Sequence, residues 1–199
     1  MLNIYIEINN SYYGLGLQEY ISLFFYEREV SFSFHNDNTA MENIHPDIYI
    51  YEFTKGEVYS CPYSKKFLNA TYILGVTDQK CDEKNFPNCL RGMKVIGYNS
   101  TLEELEKELR HIMSNKNKHN TQSDFFKRMG CYNCKKVKLS EQEKNIIQKL
   151  LSGESFAEIV KQLEISIKTF YAHKYNISRK FGLRGDSEFV RFIRKIVII

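Results

Sequence analysis

Residues 153–182 read GESFAEIVKQLEISIKTFYAHKYNISRKFG, and the organisation of the chain follows from where this stretch breaks. Gly153 stops one helix in the manner of a C-terminal glycine, which accepts a left-handed backbone without a Cβ clash. Ser155 and Glu158 then have capping-box spacing and open a short helix that buries Ile159, Val160 and Leu163. Glu164-Ile165 is a tight break, after which Ser166 caps a third helix running to about Phe181. Two helices joined so closely are a helix-turn-helix unit, whose second helix enters a DNA groove. Upstream, Ser140-x-x-Glu143 opens a helix with Ile146, Ile147, Leu150 and Leu151 on one face. Downstream, Asp186 or Ser187 starts a fourth helix carrying Phe189, Val190, Ile193, Ile196 and Val197.

The third helix has the chemistry of a DNA reader. Phe170, Ile177 and Phe181 form its inward stripe, with Ile167 at its start. The opposite face collects Lys168, Thr169, Tyr171, Ala172, Lys174, Tyr175, Ser178 and Arg179, and no acid occurs from Ile165 to Arg184. Cations there neutralise phosphates and release counterions, while hydroxyls and small apolar groups touch base edges and thymine methyls. The helix N-terminus adds free N–H groups and a positive dipole end for a phosphate.

The positions Leu139-Ser140-x-x-Glu143, Gly153-x-Ser155-x-x-Glu158-Ile159, Ile165-Ser166-x-Lys168-Thr169-x-x-x-His173 and Lys180-Phe181-Gly182 together resemble the LuxR/FixJ (GerE-type) helix-turn-helix. The resemblance implies a four-helix DNA-binding domain that dimerises through its last helix and reads half-sites. It implies that Tyr171, Ala172 and Tyr175 face bases, with Lys168, Thr169, Lys174 and Arg179 nearer phosphates. His173 matches the family's usual histidine and is taken as structural. Val160 and Phe170 depart from the pattern by adding bulk where the helices cross.

The first 113 residues alternate strand and helix patterns. Leu2, Ile4, Ile6 and Ile8 alternate with polar neighbours, the period-2 signature of a strand. Asn10-Ser11 offers a cap before Leu15, Leu17, Tyr20, Ile21, Phe24 and Phe25 at helical spacing. Val30–Phe34, Ile48–Phe53, Thr71–Thr77 and Met93–Gly97 supply four further strands. Thr101 and Glu104 box a helix with the stripe Leu102, Leu105, Leu109, Ile112 and Met113. Strands separated by helix-length segments predict a five-stranded parallel α/β sheet. Residues 54–69 and 78–91 are too irregular to assign as helices. The expected domains are 1–113, a linker at 114–138, and an all-α module at 139–199.

The front domain resembles a response-regulator receiver, more weakly, and the arrangement of two domains is similar to the Rcs-type capsule and fimbrial regulators. In His45-Pro46-Asp47-Ile48-Tyr49-Ile50-Tyr51-Glu52, the last position is where that family places its phosphate-accepting aspartate; here it is Glu52. Asn9-Asn10 replace the acidic pair that would hold Mg²⁺, and amides make no anionic site for a hard cation. Thr77 stands at the family's Thr/Ser position, and Tyr98 lies nearest the missing lysine. A pseudo-receiver without phosphorylation follows, with Glu52 either a charged stand-in for the phosphorylated acceptor or a solvated strand-end acid.

Charge splits along the chain although the total is only +4. Residues 1–110 carry 10 basic and 16 acidic side chains (net −6), residues 111–134 carry 4 and 1 (+3), and residues 135–199 carry 14 and 7 (+7). A basic C-terminal part expects a polyanionic partner, double-stranded DNA. The helix from Thr101 to Met113, with Glu103, Glu104, Glu106 and Glu108 beside its stripe, suits pairing with a second copy or another LuxR-type regulator. RNA polymerase is a further candidate partner.

No apolar run approaches the roughly 20 residues of a membrane span, and Met1–Ile8 has no signal-peptide pattern. The expectation is a cytoplasmic transcription regulator, an activator in keyword terms, with no cofactor, no metal and no enzymatic activity. Five cysteines without framework spacing fit reduced thiols. The lone pair Cys131 and Cys134 reads as free linker thiols, with metal or redox sensing as the alternative. Two other functions stay open: an auxiliary or antagonist that pairs with another regulator and binds DNA poorly alone, and a ligand-sensing or redox switch.

Overall fold

The computed structural model describes residues 1–35, 45–60, 70–78, 81, 84, 86–87, 90, 93–114 and 137–196. The expectations for Cys131 and Cys134, and for Val197, lie outside these residues. The chain divides into two compact units. One holds the described parts of Met1–Phe53, Tyr63–Cys81 and Cys89–Asn133; the other holds those of Thr54–Pro62, Asp82–Asn88 and Cys134–Ile199. Compactness therefore cuts across chain order, because two segments from the first half group with the C-terminal helices.

The first unit is a five-stranded sheet of β1 (Leu2–Glu7), β2 (Phe32–His35), β3 (Ile48–Glu52), β4 (Tyr72–Thr77) and β5 (Lys94–Gly97). The order is β2-β1-β3-β4-β5, and every pairing is parallel. Parallel neighbours need crossovers, and α1 (Ser11–Tyr26) and α2 (Leu102–Ser114) are the helices that the sheet packs on one face. Leu2, Ile4, Ile48, Ile50, Leu74, Val76 and Ile96 point to that face and meet Leu17, Ile21, Phe24, Phe25, Leu105, Leu109 and Ile112. The other face is aromatic: Tyr5, Tyr49, Tyr51 and Phe53 are buried, and the Tyr49 hydroxyl donates to Glu7 at 2.8 Å.

Strand ends differ from the sequence reading by one or two residues. The shift at β2 has a cause. Glu29 takes a left-handed φ of 54°, and Val30 N–H donates back to Phe25 O at 3.0 Å, so Val30 closes α1 instead of opening the strand. Residues 54–60, left unassigned from sequence, contain a 3-10 turn at Glu57–Tyr59.

Two sequence stripes were too wide. Leu15 was expected on the buried face of α1, and Leu102 on that of α2; both are exposed. α1 is apolar nearly all round, so periodicity alone could not choose its inward face, and Tyr12, Leu23 and Tyr26 are exposed with Leu15.

The second unit contains α3 (Glu141–Leu151), α4 (Phe156–Gln162), α5 (Ile167–Phe181) and α6 (Asp186–Lys195). Ser140 and Ser155 each form a complete capping box, with Glu143 and Glu158 respectively. Ile146, Ile159 and Phe170 make one core, into which the bulkier Val160 fits half-buried. Ile147, Ile177, Phe181, Leu183, Phe189, Phe192, Ile193 and Ile196 make another. Two expectations are corrected here, and one core residue is added. Leu151 and Val190 are exposed, and Phe192, not singled out from sequence, is fully buried. Phe189, Phe192, Ile193 and Ile196 stand at i, i+3, i+4 and i+7 and form the inward stripe, and Val190, about 100° round from Phe189, falls at its edge.

Within the same unit, the 3-10 segment packs closely. Tyr59 lies against the second core, and its carbonyl accepts Val137 N–H at 3.3 Å. Lys55 pairs with Glu188 at 3.1 Å. Gly56, at φ +82°, approaches Phe181 so closely that a Cβ would stand 2.8 Å from its carbonyl oxygen. Among the described residues, no helix is long and apolar enough to cross a membrane.

Candidate nucleic-acid interface

The α4–α5 turn is set by backbone geometry at one residue. Glu164 occupies the left-handed region at φ 52°, and Ile165 N–H returns to Val160 O at 3.1 Å, which ends α4 sharply. Ser166 then caps α5: its hydroxyl accepts Thr169 N–H at 3.0 Å and shares a 2.8 Å hydrogen bond with the Thr169 hydroxyl. Phe170, Ile177 and Phe181 anchor the helix inward. Gly182, left-handed at φ 67°, ends it.

This frame fixes where each sequence-selected side chain goes. Lys168, Tyr171, Ala172, Tyr175 and Arg179 are exposed on α5. Thr169 is half-buried and engaged in the cap, and Ser178 and His173 are half-buried too. Ile167, placed from sequence at the start of the inward stripe, is instead 55% exposed. It sits at the helix end, beyond the last turn that meets the core.

Lys174 departs most from the sequence reading. Its ammonium lies 2.9 Å from Asp186 Oδ1 and over the rings of Tyr171 and Phe189, at 5.9 and 5.5 Å from their centroids. A lysine so held is a brace between α5 and α6 as much as a free cation. Lys180 is likewise committed: it reaches Glu143 at 2.6 Å and the Lys138 carbonyl at 3.2 Å. Glu143 is only 3% exposed. Burial alone would raise its pKa, but the hydrogen bonds from Lys180 and Ser140 outweigh that and hold the carboxyl below its ordinary range. Lys149 bonds Glu154 and Gln162. Sequence reasoning missed these pairs because they join a helix to another helix or to a flanking turn, and such facing is not a periodic property.

Phe156 is the other residue the sequence reading passed over. It is 46% exposed, and its ring lies 6.4 Å from Phe170 and 6.5 Å from Tyr171. Its apolar character at the first position of α4, outside the buried stripe, was the available signal.

The carboxyl ends of β1, β3 and β4 gather the positions where a receiver keeps its phosphorylation chemistry, as expected of the crevice in an open α/β sheet. Glu52 is not simply solvated there. Its Oε2 accepts Asn9 N–H at 2.5 Å and Asn10 N–H at 3.4 Å. Burial first, and then Glu52, push the Tyr98 hydroxyl pKa strongly upward. The Asn10 amide is used as well, capping α1 through Tyr13 N–H at 3.2 Å. Thr77 is buried at the end of β4. The donor set is a poor fit for Mg²⁺, since one carboxylate oxygen already accepts two backbone N–H groups and the flanking side chains, Asn9 and Asn10, are amides. Among the described residues, no group of three acids, histidines or cysteines could hold a metal.

A receiver-like parallel sheet and a helix-turn-helix bundle on one chain define a protein of the response-regulator architecture. The family itself is fixed for the second part: residues 137–193 match the family described as bacterial regulatory proteins, luxR family, and are a LuxR-type (GerE) helix-turn-helix domain. Transcriptional regulatory protein TdiR of Thauera aromatica is 39% identical over 57 residues, which are 29% of this chain and 25% of that protein. The match thus spans about a quarter of the curated relative. Among solved structures, the response regulator RcsB in complex with DNA aligns over 98% of this chain and 99% of its own, at 17% identity and a TM-score of 0.55. RcsB from Salmonella enterica serovar Typhimurium, bound to promoter rprA with phosphomimetic BeF3−, aligns over the same shares at 17% identity, with a TM-score of 0.54. At that identity, the shared property is the fold.

Proposed function

We propose that this chain is a transcription regulator that binds duplex DNA through α5 and works without phosphorylation. The observation that carries the reading is the exposed, acid-free face of α5, with Lys168, Tyr171, Ala172, Tyr175 and Arg179 presented from a LuxR-type domain. TdiR's description as a transcriptional regulatory protein and RcsB's complexes with DNA support it. A structure of two RcsB dimers on two parallel DNAs supports a dimeric DNA-bound form, as a homodimer or with another LuxR-type regulator. The test is a salt series on the full chain with mixed-sequence duplex DNA. Binding that falls steeply with salt is expected, and its absence at low salt would overturn the reading.

Independence from phosphorylation rests on Glu52 and its bound donors. Phosphoryl transfer needs metal and cation stabilisation of the moving oxygens, and this crevice offers a carboxylate already held by backbone N–H groups. Incubation with a small phosphodonor and Mg²⁺ is expected to leave the mass of the chain unchanged. Stoichiometric phosphorylation would refute this part.

The auxiliary reading draws on one observation: Lys174, counted from sequence among the phosphate-contacting cations, is tied to Asp186. That leaves α5 with fewer free charges. DNA binding that appears only after adding a second LuxR-type regulator would favour it.

A further inference from the structure

We infer that α5 selects its duplex by packing on thymine 5-methyl groups, so that the preferred half-site is A·T-rich where it faces Ile167, Tyr171, Ala172 and Tyr175. This rests on the DNA-binding reading above and specifies what that surface recognises.

The first observation is an unexplained apolar row. Ile167, Tyr171 and Tyr175 follow one another at intervals of four residues and so stack along one side of α5. They are 55%, 51% and 65% exposed, and Ala172 is exposed beside them. The Phe156 ring continues the row from α4 at 6.5 Å from Tyr171. None of these exposed residues belongs to either core of the unit. A contiguous apolar ridge on the outer side of a reading helix has to meet apolar atoms to be useful.

The second observation is what the ridge lacks. Guanine and adenine are read most specifically by forked or paired donors and acceptors, supplied by Arg, Lys, Asn or Gln. From Ile167 to Arg179, the residues of those types are Lys168, Lys174, Asn176 and Arg179, and of these Asn176 is only half-exposed, next to the buried Ile177. Lys174 is held by Asp186 and by the faces of Tyr171 and Phe189. Thr169 is turned into the Ser166 cap. Lys168 and Arg179 lie at the two ends of the row, where cations suit phosphates on either side of a groove. Charge complementarity therefore chooses a duplex as the occupant, and the uncharged row between the cations chooses the base. Among the unmodified bases, thymine alone offers the major groove a carbon substituent.

The experiment begins with selection of duplexes from a random pool by the full chain, followed by replacement of thymine with deoxyuridine in the selected site. A·T enrichment is expected at the facing positions. Each facing methyl removed is expected to weaken binding about four-fold, the equivalent of one buried apolar carbon, with little change elsewhere in the site. Ile167→Ala and Tyr175→Ala, both at exposed positions outside the two cores, are expected to weaken binding to the selected site and to erase the thymine-over-uracil preference, with the slope of affinity against salt unchanged. A G·C-rich selected core, or equal affinity for thymine and uracil duplexes, would overturn this inference and leave the DNA-binding reading standing. Failure to bind any duplex at low salt would overturn both. Self-association abolished by Tyr175→Ala, with DNA selectivity unchanged, would instead assign the row to a second copy of this chain.

Discussion

Glu143 closes the capping box of α3 and also receives the Lys180 ammonium at 2.6 Å, while almost wholly buried. Lys180→Met is expected to cost about 2 kcal/mol. Breaking a buried pair costs several kcal/mol, and the partial exposure of Lys180, 33% of its side chain, screens part of that. Because the folded carboxyl lies below its ordinary range, the pair contributes stability above the unfolded pKa of about 4.3. That contribution is lost as pH falls through the lower folded value. Urea titrations followed by circular dichroism, the chain having no Trp, are expected to show this acid-side loss, flattened in Glu143→Gln. The left-handed Glu164 makes the opposite kind of residue-scale prediction. Glu164→Gly relieves a backbone cost of roughly 1–2 kcal/mol, less the entropy glycine loses on folding. A net gain of about 1 kcal/mol in urea stability is expected. The capping serine was legible in the sequence because its partner stands three residues away. The Lys180 partnership was not, because 37 residues separate it from Glu143.

Elements were legible where local chemistry marks them. Ser140, Ser155 and Ser166 cap the helices that their spacing announced, and alternation in β1 with short apolar runs elsewhere located the five strands. Facing was less legible. Leu15 and Val190 fit an apolar periodicity yet are exposed, because a helix apolar nearly all round does not mark its inward face and a residue at the edge of a stripe can fall on either side of it. The 3-10 segment at Glu57–Tyr59 had no periodicity at all, and its importance comes from packing. Gly56 combines a φ of +82° with a Cβ position 2.8 Å from the Phe181 carbonyl and 2.9 Å from its Cβ. Gly56→Ala is therefore strained twice, by backbone conformation and by overpacking. A loss of about 1–3 kcal/mol is expected, read as a lower urea midpoint. An unchanged midpoint would show that this segment can withdraw from Phe181 at little cost.

For the whole molecule, counting charges and locating free charges are different operations. The −6 of residues 1–110 and the +7 of residues 135–199 were plain from sequence. The ion pairs that leave the net +7 unchanged but decide which cations are free were not. Of the 14 basic residues in 135–199, Lys144, Lys149, Lys174 and Lys180 are paired with acids. Around the reading face, Lys168 and Arg179 on α5 and Lys161 on α4 are exposed. About three phosphate contacts per chain imply a slope of log affinity against log salt near −3. Lys168→Ala is expected to reduce that slope by about one unit for every duplex sequence. Lys174→Ala is expected to leave it nearly unchanged and to lower stability instead, since its charge is already answered by Asp186. Affinity measured from 50 to 200 mM salt on a fixed duplex separates the two variants. Equal loss of slope in both would mean that DNA draws Lys174 away from Asp186, returning it to the phosphate-contacting role that its place in the sequence suggested.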